Sequence, residues 1–232
     1  MSRPTVLGLI PARGGSKSIP RKNLTPLAGK SLVQRAFECA VDSGVVDRVV
    51  LSTDDPEIAD AARVFGLEVP FLRPAEFARD ESPMIDVAVH ALTTLAASGY
   101  VPDALLLLQP TSPLRRPEHI REAVALLGGN DAVCSVYALP QGLCPHYLMK
   151  ITDDGFLDFV LPEGARITRR QDVPPAYKRD GTIFLTRTPV VVQQRSFYGR
   201  RCIPLFIAPD EVLNIDDPAE WAEAERMLSG VP

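Results

Sequence analysis

From Pro11 to Asn23 the chain reads Pro-Ala-Arg-Gly-Gly-Ser-Lys-Ser-Ile-Pro-Arg-Lys-Asn, with four cations, Arg13, Lys17, Arg21 and Lys22, and no acid. Adjacent glycines, Gly14 and Gly15, let backbone N–H groups turn toward a ligand. A following helix adds the positive end of its dipole, and the side chains add full charges. That combination holds phosphate groups, and a triphosphate suits its size and charge. The plainer alternative is a solvated turn with scattered surface cations; the position directly after the first strand weighs against it. Two better-known phosphate motifs do not fit. No third glycine completes G-x-G-x-x-G, which disfavours a nicotinamide dehydrogenase, and the first glycine of a P-loop ending at Gly29-Lys30-Ser31 would fall on Leu24. Gly29 and Lys30 read instead as a turn into the first helix.

Further along, Gln109-Pro110-Thr111-Ser112-Pro113 follows the apolar run Ala104 to Leu108. Gln109 there offers an uncharged amide, a donor and acceptor suited to a sugar amide or hydroxyl, with capping of its own turn as the alternative. Arg166, Arg169, Arg170 and Gln171 form a cationic cluster that either meets a carboxylate ligand or pairs with Asp172 and Glu163. Near the end, Asp217-Pro218 is a helix cap and first turn. His90, His119 and His146 read as structural rather than as bases. Cys39, Cys134, Cys144 and Cys202 are widely spaced without a C-x-x-C pair, which fits neither a zinc site nor a disulfide framework and suits a reducing cytoplasm.

The elements that position these groups alternate. Strands are expected at Thr5 to Ile10, Asp47 to Thr53, Glu68 to Leu72, Ala104 to Leu108 and Asp131 to Tyr137. Helices are expected at Ser31 to Val41, from Asp55 to Phe65, Ile85 to Ala97 and Pro117 to Leu127. Residues 139–176 are rich in Pro and Gly, show no clear helix, and read as an excursion. Strands then return at Thr182 to Thr186 and Ile203 to Ile207, and a last helix to Leu228 carries Trp221 inward, packing back on the sheet. The pattern predicts one α/β domain over residues 1–232, doubly wound around a mostly parallel sheet, with one insertion. With 46% hydrophobic residues and net charge −4, the 232-residue chain is expected to be a soluble globular protein with no broad nucleic-acid or membrane surface. The run Val6 to Ile10 is too brief for a signal-peptide core, and no stretch approaches a membrane span.

Three motifs, Ile-Pro-Ala-Arg-Gly-Gly-Ser-Lys-Ser-Ile-Pro-Arg-Lys-Asn, Leu-Leu-Gln-Pro-Thr-Ser-Pro-Leu-Arg and Arg-Arg-Gln-Asp, occur in that order. Together they resemble the acylneuraminate cytidylyltransferase family over roughly residues 5 to 228. The resemblance implies a nucleotide-diphospho-sugar transferase fold, a homodimer formed through the 139–176 lobe, and activation of an acidic nine-carbon α-keto sugar with CTP, releasing pyrophosphate. It puts Arg13, Ser16 and Lys17, with the Gly14-Gly15 backbone, on the triphosphate, and Lys22 and Asn23 beside the reacting phosphorus. Arg13, Lys17 and Lys22 are thereby the expected catalytic groups. Arg73 would lie near the base, Ser82 at the ribose, Gln109 against the acyl-sugar, and Arg169 or Arg170, beside Gln171, on the sugar carboxylate across the dimer.

Where the family carries Asp-Ile-Asp, this chain has Asn214-Ile215-Asp216. The implied cofactor is Mg²⁺, with Asp216 as its ligand and Asn214 a weaker one, since the ion prefers carboxylate oxygens. Where the family often has Asn-Gly-Ala-Ile-Tyr, Asp180-Gly181-Thr182-Ile183-Phe184 stands. Loss of the tyrosine hydroxyl at Phe184 favours a deoxygenated, diacylamino sugar such as legionaminic or pseudaminic acid over sialic acid. The alternatives are a ketodeoxyoctonate cytidylyltransferase, whose corresponding strand typically ends in an aspartate-containing motif rather than Gln109, and a non-catalytic nucleotide-binding relative.

Overall fold

The computed structural model describes residues 3–15 and 18–230. Its strands are β1 (Val6–Pro11), the short β2 (Pro26–Leu27) and β3 (Lys30–Ser31), β4 (Arg48–Ser52), β5 (Ala104–Leu107), β6 (Ala132–Ala138), β7 (Met149–Ile151), β8 (Leu157–Phe159), β9 (Tyr177–Arg187) and β10 (Cys202–Phe206). The helices are α1 (Leu32–Ser43), α2 (Pro56–Val64), α3 (Met84–Ala97), α4 (Pro117–Leu127), α5 (Thr188–Gln194) and α6 (Pro218–Ser229). A six-stranded sheet has the order β10-β6-β9-β5-β1-β4, and β9 alone runs against the others.

The sheet is buried on both sides, and the two-residue period of its strands divides the core. Val6 and Ile10, with Leu106 and Leu108, face one layer packed by α1, α2 and α4. Leu7 and Leu9, with Leu105 and Leu107, face a second layer packed by α3 and α5. Burial on both faces is why β1 and β5 read as continuous apolar runs rather than alternating ones. Local chemistry fixes the helix starts. Ser31 accepts from the Gln34 amide, Asp55 from the Glu57 amide, and Asp217 exchanges a full capping box with Glu220.

Four expectations are corrected or extended. The strand expected at Glu68 to Leu72 reduces to one bridge, Val50 with Glu68, because Pro70 lacks the N–H that would continue the ladder. Strand β9 begins at Tyr177, earlier than Thr182, and is antiparallel. Helix α5 hides in Thr-Pro-Val-Val-Val-Gln-Gln, whose β-branched run resembles a strand although Pro189 opens a helix. Helix α6 packs on the β2–β3 hairpin, sharing a cluster of Leu27, Leu32, Ile215 and Ala224, rather than on the sheet. The excursion over residues 139–176 holds only the β7–β8 ribbon and short 3₁₀ turns, as its composition suggested. Among the described residues no helix is long and apolar enough to cross a membrane.

Candidate functional site

The carboxyl ends of β1 and β5 open onto one cleft, as expected for a sheet of this topology. Ala12 extends β1 by donating to the Ser52 carbonyl at 3.0 Å, and the chain then turns through Arg13 and Gly14. Asn23 is buried and its amide donates to the Arg13 carbonyl at 3.0 Å, so it shapes the loop from behind. Arg73 hangs its backbone N–H on the Thr53 carbonyl at 2.7 Å and its guanidinium on Asp54 at 3.2 Å; that same Asp54 oxygen accepts from the Gly14 amide at 3.3 Å. A side chain on Gly14 would put its Cβ 2.5 Å from an Asp55 oxygen, so only glycine lets the loop run this close to the α2 cap.

A second set of bonds brings the distant C-terminal segment to the same place. The Ile215 amide donates to the Thr111 carbonyl at 2.8 Å, and the Ile215 carbonyl accepts from Lys22 Nζ at 2.7 Å. Asp216 thereby reaches the cleft beside Lys22, with its backbone carbonyl held by the Ser18 hydroxyl and its carboxylate by the Asn214 amide. Two adjoining cavities result. One, of about 400 Å³, is lined by Arg13, Lys22, Asn23, Arg73 and Asp216; the other, of about 510 Å³, by Tyr137, Lys178, Arg179, Asp180, Phe184 and Asn214. Gln109 and Met84 line both.

The first cavity gathers cations in a chain that is acidic overall. Burial pushes the Lys22 ammonium below its ordinary value, opposed in part by Asp216, and burial likewise lowers Arg73 against the pull of Asp54. Arg73 Nε is buried without a partner. Donors left in this condition are available to an incoming anion. Arg13 is held by Asp80 at 2.5 Å and Arg21 by Glu57, so an anion entering the loop exchanges places with carboxylates of the chain itself.

Residues 7–226 match the family model for cytidylyltransferases. The chain belongs to that family. It is 35% identical over 229 residues to the CMP-N,N'-diacetyllegionaminic acid synthase of Legionella pneumophila, covering 96% of each chain. It is 38% identical over 222 residues to the pseudaminic acid cytidylyltransferase of Campylobacter jejuni, covering 96% of this chain and 95% of that one. In fold it is similar to CMP:2-keto-3-deoxy-manno-octonic acid synthetase solved in complex with CTP, with TM-score 0.72 and 18% identity over 97% of this chain and 99% of that one.

Several residues singled out in this cytidylyltransferase come together, and others do not. Arg13, Lys22, Asn23, Arg73 and Asp216 share the first cavity, and Gln109, Phe184 and Asn214 the second. Ser16 and Lys17 lie outside the described residues. Gly14 lines neither cavity but a small separate pocket with Arg21, Asp55 and Glu57, and Gly15 is exposed. Ser82 lines neither cavity; its hydroxyl donates to the Glu76 carbonyl and accepts from the Arg79 amide, closing a turn. Arg169 pairs with Asp172 at 2.8 Å and Arg170 exchanges hydrogen bonds with Gln141, both exposed on the lobe with Gln171 and apart from the two cavities of their own chain. The cations inside the larger cavity are Lys178 and Arg179, which the motifs did not single out. Only the reversed direction of β9 brings them to the cleft.

Among the described residues no cluster of three or more His, Cys, Asp or Glu is arranged around a cation. Asp216 offers one carboxylate, and the Asn214 amide points its nitrogen at it. This donor set fits Mg²⁺ only as a shared ion, completed by oxygens of a bound phosphate and by water, which is how that ion commonly sits in phosphoryl-transfer sites.

Lys22 is half-buried with one carbonyl as its hydrogen-bond acceptor, so its removal costs the fold little while emptying the cleft of a charge. We expect Lys22→Met to melt within about 4 °C of the parent, under about 1–2 kcal/mol for a chain of this size, by thermal denaturation without ligand. A drop beyond roughly 8 °C would make Lys22 a strut of the fold instead.

Proposed function

We propose that this cytidylyltransferase joins CMP from CTP to a nine-carbon α-keto acid sugar, releasing pyrophosphate. The observation that carries the reading is the pair of cavities meeting at Gln109, one cationic and one mixed polar and aromatic, each near the size of one substrate. The triphosphate lies in the first, with Arg13, Lys17, Lys22 and the Gly14 and Gly15 amides neutralising the charge that gathers on the departing pyrophosphate. Ser16 belongs to that group, Asn23 and Arg73 border the nucleoside, and Ser82 steadies the loop at the ribose. The anomeric oxygen of the sugar forms its bond to the α-phosphorus as the α–β anhydride bond breaks. Gln109 and the β9 cations hold the sugar in line for that attack, the cations facing its carboxylate.

Asp216, with Asn214 at its side, would hold Mg²⁺ together with the phosphates, the ion screening their charge when bound. Pyrophosphate release measured with four nucleoside triphosphates against N-acetylneuraminic acid, both diacylamino acids and ketodeoxyoctonate tests the whole reading. CTP with a nine-carbon acid is the expected pair. Phe184 packs edge-on to Tyr198 and adds no hydroxyl to the cavity wall, so a diacylamino acid should have the higher kcat/KM. A preference for ketodeoxyoctonate would overturn the substrate class; one for N-acetylneuraminic acid would overturn only the Phe184 argument. Lys22→Ala should lower kcat/KM roughly ten- to hundredfold, the worth of one lost charged contact.

Counting carboxylates gives a second test. Asp216→Asn should raise the Mg²⁺ concentration for half-maximal rate roughly tenfold or more, and Asn214→Asp should lower it. A metal titration unchanged in both variants would put the ion elsewhere.

The homodimer is proposed from the lobe's surface. Leu143, Leu148, Ile151, Phe156 and Leu157 are exposed there, and Phe206 is exposed on β10. A second copy of the chain covering this face would also bring Arg169 or Arg170 toward a neighbouring cleft. Light scattering should give a dimer mass for the parent chain and a monomer for the double variant Ile151→Glu, Phe156→Glu. A monomeric parent would refute the dimer. A cytoplasmic location accords with the four free cysteines.

A further inference from the structure

Arg115 is buried behind the cleft and lines neither cavity, yet it touches both walls of the larger one. Its Nε donates to the Thr182 carbonyl at 2.7 Å and its Nη2 to the Gln109 carbonyl at 2.7 Å. These two carbonyls are related by the sheet itself. The β5–β9 ladder ends at Leu107 opposite Phe184, and carrying that register two residues further sets Gln109 opposite Thr182. At that level the strands have parted to make the cavity, and the planar guanidinium spans the gap where ladder bonds stop. Its two parallel donors suit the task, which a single ammonium cannot reproduce.

The opposite side of the β9 turn is fixed as well. Ser135 lies at the irregular step between β6 and β9; its hydroxyl donates to Asp180 at 2.6 Å and accepts from the Ile183 amide at 2.8 Å. Asp180 in turn accepts from the Thr182 amide at 2.6 Å. Between these anchors Gly181 adopts φ +87°, and a Cβ there would lie 3.0 Å from the Gln109 side-chain oxygen. The Gln109 amide is therefore seated against a turn whose position Arg115 and Ser135 decide. Burial moves the Arg115 guanidinium down to about 10, still charged at neutral pH, and among the described residues no carboxylate is hydrogen-bonded to it. A buried arginine spent on two backbone carbonyls is a costly way merely to fill space.

We propose that Arg115 is a positioning residue for sugar recognition, holding the Gln109 loop and the Asp180–Thr182 turn at the separation that admits the sugar. This rests on the reading of the larger cavity as the sugar site. Initial rates with both substrates varied separately test it in Arg115→Lys, Ser135→Ala and Gln109→Ala. Arg115→Lys keeps the charge but loses one of the two bonds, so the sugar KM should rise about tenfold with the CTP KM within about twofold. Ser135→Ala, a milder change that loosens the same turn from the other side, should raise the sugar KM about threefold. A purely structural arginine would lower the amount of active enzyme and the melting temperature, leaving both KM values of the surviving enzyme unchanged; that result overturns the proposal. If Arg115→Lys does not fold, Ser135→Ala decides alone, and an unchanged sugar KM there overturns it. If Gln109→Ala leaves the sugar KM unaltered, the sugar-site reading fails and takes this proposal with it. If Gln109→Ala raises that KM while the other two do not, only the role of Arg115 is refuted.

Discussion

The backbone of one residue, Ile215, ties together segments nearly two hundred residues apart. Its N–H is held by Thr111 in the loop after β5, and its carbonyl by Lys22 in the loop after β1. The side chain between them is fully buried with Leu27, Leu32 and Ala224, so the hairpin and α6 clamp it from below. That clamp, with the Ser18 hydroxyl on the Asp216 carbonyl, fixes Asn214 and Asp216 relative to the cationic loop. The Ile215–Thr111 backbone bond sets the position, since a buried backbone group left unpaired costs its desolvation, whereas the Lys22 bond is only partly buried and its loss costs the fold little.

The electrostatics of the cleft follow from the same crowding. Cations brought close enough to bind one polyanion repel each other, and the chain answers with carboxylates interleaved among them: Asp80 on Arg13, Glu57 on Arg21, Asp54 on both Arg73 and the Gly14 amide. The Arg13–Asp80 and Arg21–Glu57 pairs are exposed or half-exposed and individually weak, which leaves them exchangeable, whereas the Arg73 guanidinium in the Asp54 pair is buried. Lys22 differs, since its hydrogen-bond partner is a carbonyl and its ammonium is pushed down by burial. In the proposed reaction a phosphate oxygen adds to the counter-charge that Asp216 and Glu220 supply to Lys22 only in part.

Much of this was legible in the sequence. The strand-forming runs of β1 and β5 marked the sheet, and the Gly-Gly loop marked the cations Arg13 and Lys22 that line the smaller cavity, because both signals are local and depend on residue type. Asp217 was legible as a cap for the same reason. What escaped depended on direction or on distance. Nothing in Thr182 to Thr186 marks β9 as antiparallel, yet its direction alone turns Lys178 and Arg179 into cleft residues. Pro70, which ends the expected strand after Glu68, was visible but outweighed by its apolar neighbours. Arg169 and Arg170 look like ligands in sequence because they are adjacent cations, whereas within one chain Asp172 and Gln141 already engage them.

The reversal of β9 also joins the lobe to the site. The excursion leaves the sheet at the end of β6 and returns at the start of β9, and the stem closes with Ala138 opposite Tyr177 and the Leu139 amide on the Ala176 carbonyl at 2.9 Å. One step inside that stem Tyr137 pairs with Lys178, whose ammonium lies 5.9 Å over the tyrosine ring, and both line the larger cavity. In a wholly parallel sheet the return strand would enter at the opposite rim, and the lobe would have no short path to the cleft. As built, the lobe joins the cavity wall through this two-stranded stem. In the proposed dimer a second chain covering the lobe's apolar face would also bear on Tyr137, Lys178 and Arg179, which would make the association of two chains and the shape of the proposed sugar cavity one mechanical problem.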